Sequence, residues 1–264
     1  RPCYEFNKVR VTSKRIINEM RANRTSGKVR GVEGGDKDVA EINEGLIRNI
    51  WNMSDGDTVI DSAAEYQVSA GMGAWRITTD YLSNQSFYQD IKIEPIPNPF
   101  CLYADPSAKD STKADARDWI YTERISTKEY KKRWPKAEVS GFEDTEFDDE
   151  DEWQSEEETR ICEYWYKEEE DKELWLLADG KVIDPETDEG MAIEQTQPEL
   201  IVKRRTIKVD KIMMCIASGD AILEGPTEWA GTKFPFVQVY GEYIIVDGKT
   251  YWYGIGRFGR DPQV

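Results

Sequence analysis

The sequence predicts an α+β protein, with N-terminal helices packed on a mostly antiparallel β-sheet and a β-rich C-terminal half. Three observations predict this class. Apolar residues recur every three or four positions through the first 70 residues, and after Gly71-Met72-Gly73 the period becomes two. Two Asp-Gly dipeptides, at 179–180 and 247–248, each sit between strand-like runs. A chain of 264 residues is long enough to bury one large core or two small ones.

Residues 8–21 carry Val9, Ile16, Ile17 and Met20 at helical spacing. A polar, Gly-rich loop follows to 35. Residues 36–53 form the strongest helix pattern: Asp36 can cap it, and Val39, Ile42, Leu46, Ile47, Ile50 and Trp51 make an apolar stripe. Ser54-Asp55-Gly56-Asp57 breaks the chain, and Asp55 or Asp57 can cap a helix over 58–70, giving a helical hairpin. Residues 74–81 then alternate, with Trp75, Ile77, Thr79 and Tyr81 on one face, and 87–93 return as the partner strand. Pro95, Pro97 and Pro99 stop regular pairing. Short strands are expected at 100–103 and 118–125, separated by a polar loop. Ser126 caps a helix to 136 that puts Tyr130 and Trp134 on one side.

The last third reads as strands at 161–166, 173–178, 181–183, 199–206, 207–217 and 235–240. A final hairpin joins 243–246 to 249–253, and both Asp-Gly turns are expected to be type I′. Four segments result: 1–35, N-terminal helix and loop; 36–136, helical hairpin plus antiparallel strands; 137–160, an acidic mobile linker; and 161–264, the β-rich part.

Charge locates the linker. The net charge is −17, and residues 143–173 hold 17 acids against Arg160, Lys167 and Lys172, which leaves the remaining residues close to neutral. The tract at 143–158 reads as a solvated loop; Asp148-Asp149-Glu150-Asp151 lacks the ligand spacing and central glycine of a calcium loop. There is no basic stripe to grip duplex DNA, and Lys203-Arg204-Arg205 with Lys208 and Lys211 reads as the wet face of a strand. Mean hydropathy is −0.71, and no run reaches the ~20 apolar residues of a membrane-spanning helix. The chain opens on Arg1-Pro2-Cys3 without methionine, and reads as a fragment of a longer protein.

Catalytic chemistry is sparse. The chain has no histidine, which removes every Ser-His, Cys-His and His-metal arrangement. Cys3, Cys101, Cys162 and Cys215 are too widely spaced for a zinc site and read as reduced core thiols. Gly254-Ile-Gly-Arg-Phe-Gly259 matches a dinucleotide fingerprint literally, but no βαβ alternation surrounds it. With 52 acids, any chosen carboxylate pair is uninformative. The residues alone therefore predict no catalytic, cofactor-binding or metal-binding residue and no cofactor, and favour a structural or binding module. A carbohydrate-active β-rich enzyme using a carboxylate pair and an aromatic groove is the alternative.

The stretch from Gln67 to Tyr81 adds a resemblance. Ala70-Gly-Met-Gly-Ala-Trp-Arg76 followed by Thr79-Asp-Tyr81 resembles the portal (head-to-tail connector) proteins of short-tailed phages. In the same order, Glu19-Met20-Arg21, Glu94-Pro95-Ile96, the Asp105 to Asp110 loop with Asp115-Ala-Arg117, Ile201 to Lys208, Leu223-Glu-Gly225, Phe236 to Glu242, and Tyr253-Gly-Ile with Arg257 are similar to that family; the acidic tract is not.

The resemblance implies a structural subunit of a ring homo-oligomer, usually a dodecamer, at one capsid vertex. DNA would be packaged and ejected through it without specific binding. Coat and scaffolding proteins, the packaging motor (terminase) and tail proteins would be its partners, the last two through regions outside this chain. Its location would be the virion, with assembly in the host cytoplasm. This chain would be mainly the N-terminal, wing portion, with no enzyme activity and no membrane contact; another phage structural or adaptor protein is the further alternative. Gly254 to Gly259 would lead toward channel helices. Trp75 and Tyr81 are expected to pack, and Arg76 to form a pair within or between subunits.

Overall fold

The computed structural model describes residues 7–24, 26–31, 37–137, 158–219 and 221–259. The fold is α+β, and the chain divides into two compact units, one of residues 1–116 and 235–264, the other of 117–234. The first unit begins with α1 (Lys8–Ala22), α2 (Lys37–Met53), α3 (Gly56–Ala70), β1 (Met72–Tyr81), β2 (Gln89–Pro95), a 3-10 turn and β3 (Leu102–Ala104). The second is built of β4 (Asp118–Ser126), α4 (Thr127–Arg133), β5 (Glu158–Leu177), β6 (Val182–Ile183), α5 (Asp188–Thr196), β7 (Ile201–Ala217) and β8 (Ile222–Glu228). The chain then returns to the first with β9 (Phe236–Tyr240), β10 (Glu242–Val246), β11 (Lys249–Tyr253) and α6 (Ile255–Gly259). These divisions fall at 116/117 and 234/235. The reason is β9: it pairs antiparallel with β1, Arg76 opposite Phe236 and Met72 opposite Tyr240, a partnership across more than 150 residues that leaves no local sequence signal.

In the first unit the sheet order is β2-β1-β9, with α3 packed on β1 and α1 on α3. α1 and α3 are tied by Arg21 to Asp61 (2.9 Å) and by Lys14 to Glu65. Asp55 takes the N-cap position of α3 with a left-handed backbone (φ 47°), but its side chain makes no cap bond. Asp57 is not a cap either. Its carboxylate accepts from Trp51 Nε1 (3.1 Å) and pairs with Arg24, and these two partners, Trp51 first, hold it below the ordinary carboxylate value.

In the second unit the order is β4-β5-β7-β8, with β6 on the end of β5. Tyr130, Trp134, Ile161 and Ile216 form a buried cluster, and Trp134 Nε1 donates to Glu224 (2.7 Å). Two departures from the sequence expectation stand out here. Residues 158–177 are one strand where the sequence predicts separate strands at 161–166 and 173–178, and 199–206 and 207–217 merge into β7. Diagonal cross-strand ion pairs support the continuity: Glu169, opposite Asp210, pairs with Lys208 (3.0 Å), and Lys211, opposite Glu168, pairs with Glu170. The Asp179-Gly180 turn is also not type I′. Only Gly180 has positive φ (87°), Gly180 N donates to Leu177 O and Leu177 N to Lys181 O, which is a three-residue loop ending in a glycine bulge. At Asp247-Gly248 both residues have positive φ (50° and 76°), as type I′ requires.

The expectations placed on Cys3, on Asp36 as a cap and on the acidic residues 143–157 lie outside the described residues. No described helix is long and apolar enough to cross a membrane.

Candidate interaction surfaces

The portal-like motifs of the first unit build its fold. Gly71 ends α3 in a left-handed conformation (φ 100°), and its carbonyl accepts from Gly241 N at 2.8 Å. A Cβ on Gly71 would lie 2.3 Å from Tyr253 C, and one on Gly73 2.0 Å from Ala63 O, so both glycines allow backbones to touch. Arg76 pairs with Glu94 on the neighbouring strand (3.1 and 3.2 Å), an intradomain contact. Asp105 accepts from Ser107 N (2.7 Å), while Asp115 accepts from Lys109 N (2.7 Å) and Asp110 N (3.1 Å). Those backbone bonds, that from Lys109 first, lower the Asp115 pKa, and the loop locks itself. Gln238 is buried and donates to Leu102 O (3.1 Å); Tyr240 donates to Gln238 Oε1, and burial pushes the Tyr240 hydroxyl up to about 12. Gly254 lies against the backbone of Val68 and Ser69 and Gly259 against Val9, so packing of α6 on α3 and α1 accounts for the glycine spacing there.

What the first unit leaves uncovered is more informative for function. The apolar stripe of α2 turns outward: Val39, Ile42, Leu46 and Met53 are 50 to 73 % exposed, and the helix buries Ala40 instead. On β1 the buried residues are Gly73 and Ala74, so Ile77 and Tyr81 are exposed beside Ile91 of β2. Tyr81 therefore does not pack as expected, and Trp75 is half-buried. Phe87, at the turn between these strands, is 96 % exposed. The third surface is the β10–β11 hairpin, where Tyr243, Ile244, Ile245, Val246 and Tyr251 are 40 to 62 % exposed. A two-stranded hairpin with apolar residues on both faces is marginal in water by itself. The sequence places these residues on a helix stripe and on strands, but their spacing does not say what covers them.

The second unit offers a charged surface. Beyond the ends of β4 and β8, β5 and β7 continue as a two-stranded ribbon. Lys203, Arg204 and Arg205 are exposed on it, with the Arg204 guanidinium 4.9 Å from the Trp175 ring centre. Lys208 bonding lowers the Glu169 pKa, and Glu169 and Glu170 in turn raise those of Lys208 and Lys211. Because Lys203 and Arg205 alternate across the pleat from Arg204, these bases form no single-face stripe.

Burial disfavours the thiolate of Cys162 and of Cys215. Cys101, Cys162 and Cys215 are free, Cys215 is buried, and burial is the main cause that pushes Cys162 up to about 11. At about pH 8 roughly 0.1 % of Cys162 is thiolate. Alkylation of Cys162 by iodoacetamide, followed by mass spectrometry, should be about a hundredfold slower in the folded protein than in guanidinium chloride. A rate within threefold of the unfolded one would contradict this.

No cluster of described Cys, Asp or Glu could hold a metal ion. One open groove of about 420 Å³ runs between α1, α3 and α6, and its single lining carboxylate, Glu65, is already paired with Lys14. No pair of described carboxylates lines this groove; a second groove, of about 610 Å³ beside α2, is lined by Glu41 and Glu44, of which Glu44 is already paired with Arg48 (3.0 Å).

Comparison with known proteins gives a consistent answer. A protein named "Portal protein" from Acyrthosiphon pisum secondary endosymbiont phage 1 is 28 % identical over 262 residues. That match covers 93 % of this chain and 36 % of the relative, so the chain spans about a third of the relative's length. Residues 1–264, the whole chain, match the family described as phage P22-like portal protein. With its portal-like motifs forming the joints of the first unit and the family match extending over every residue, this chain belongs to the P22-like portal protein family.

Proposed function

We propose that the chain is the wing portion of a portal subunit. It has a structural, non-enzymatic role in a ring at one capsid vertex through which DNA is packaged and ejected. The observation that carries this reading is the family match over residues 1–264. Two physical features support it. The first unit exposes apolar side chains on α2, on β1–β2 and on the β10–β11 hairpin, which fits a subunit with neighbours. Outside residues 143–173 the chain is close to neutral, which fits a conduit that lets DNA pass without retaining its phosphates. Coat, scaffolding, motor and tail proteins are the partners, in the virion and during assembly in the host cytoplasm.

Negative-stain electron microscopy of the protein purified from phage-infected cells tests this. Rings with a central hole and high rotational symmetry are expected. Compact monomers or dimers at high concentration would remove the proposal.

A further inference from the structure

Among the described residues, two apolar surfaces of the first unit lie uncovered and have similar lengths. Val39, Ile42, Leu46, Ile50 and Met53 fall within an arc of about 80° on α2 and run along roughly 21 Å of its axis. The β10–β11 strands, five residues each, extend roughly 17 Å. Tyr243 and Ile245, with the half-buried Trp252, share one face of the hairpin, and Ile244, Val246 and Tyr251 share the other, so the Ile245 face is the one set against the α2 stripe. Such a contact supplies part of the apolar core of an interface of standard size, about 800 Å² per partner.

The hairpin is held rigidly at its root. Tyr240 and Trp252 stack with ring centres 4.2 Å apart, Gly241 N bonds Gly71 O, and Gly254 sits on the backbone of Ser69. A rigid root means that the exposed apolar strands are presented and not merely frayed. Neither surface covers the other within the unit, since both are exposed in it.

We propose that the β10–β11 hairpin of one copy docks on the α2 stripe of a second copy of this chain. The contact uses two different patches, so it is head-to-tail, and repeated around an axis it closes a ring. This deepens the portal reading and rests on it.

The test places a photo-crosslinking amino acid at Ile245 and maps its products by mass spectrometry in rings first verified by negative-stain microscopy. Crosslinks from Ile245 to the peptide Lys37–Met53 of a neighbouring copy are expected. In parallel, Ile245→Asp and Ile42→Asp should each raise the protein concentration needed for ring formation at least tenfold in sedimentation velocity. Their circular dichroism melts should match the parent, because both side chains are exposed. Rings whose crosslinks run from Ile245 to another part of the chain, or to a different protein, overturn the hairpin–α2 contact and leave the portal reading standing. Rings that form at the parent concentration in both variants do the same. If the unsubstituted protein forms no rings, the portal reading fails and this contact fails with it.

Discussion

Replacing Gly73 with alanine is expected to destabilise the first unit by about 3 kcal/mol or more, the upper end of overpacking costs. Gly73 lies in β1, where an added Cβ would approach Ala63 O to 2.0 Å and Ala63 C to 2.7 Å. Backbone cannot rotate away as a side chain would. To make room, α3 must lift from β1, yet β1 is held by β2 on one side and β9 on the other. The cost is steric, since Gly73 has no positive φ. Gly45→Ala is the contrast. It lies within α2, with nothing within 4 Å of the new Cβ, and should stabilise by about 0.5–1 kcal/mol through helix propensity. Urea denaturation of the two variants side by side decides the matter: a Gly73→Ala midpoint equal to the parent's would show that α3 and β1 are not in backbone contact.

Tyr130→Ala should cost the second unit about 3–5 kcal/mol. Tyr130 is fully buried, its ring lies 5.3 Å from that of Trp134, and Ile161 and Ile216 complete the cluster. Truncation leaves a cavity walled by two β-sheet residues and a tryptophan whose indole is fixed to Glu224, so little can collapse inward. With urea m-values of about 1–3 kcal/mol/M, the midpoint should fall by on the order of 2 M. Phe87→Ala, which removes a side chain 96 % exposed, should stay within about 0.5 kcal/mol of the parent. Equal shifts for Tyr130→Ala and Phe87→Ala would contradict the assignment of this core.

Local pattern made much of the secondary structure legible. The expected helix at 8–21 corresponds to α1, and the stripe of 36–53 corresponds to α2. Ser126 caps α4 by accepting from Glu129 N, and the strand at 118–125 corresponds to β4. These succeed because caps and period depend on neighbours within four residues. The continuity of β5 through 167–173 was not legible, because its charges are stabilised by Lys208 and Lys211, about 40 positions away. α5 left no expectation at all; it is a short helix capped by Thr187, which accepts from Gly190 N.

The portal-like motifs were legible as a resemblance, but their physical work was not. Sequence alone cannot show that Gly71 and Gly73 are pressed by Tyr253 and Ala63, or that Gln238 bonds Leu102 O. Nor could amphipathic spacing say which surface an apolar stripe faces. Val39, Ile42 and Leu46 have the same period whether a core or a neighbouring molecule covers them.

The sequence by itself therefore determined α1 to α4, most strands, the absence of histidine chemistry and the family, since each depends on residue identity and short-range order. Only the tertiary structure decided that β9 closes the first unit against β1, and that α2 and the β10–β11 hairpin turn their apolar residues outward. Both outcomes depend on which distant surfaces compete for the same contacts. Packing of the whole chain settles that competition, and no window of sequence contains it.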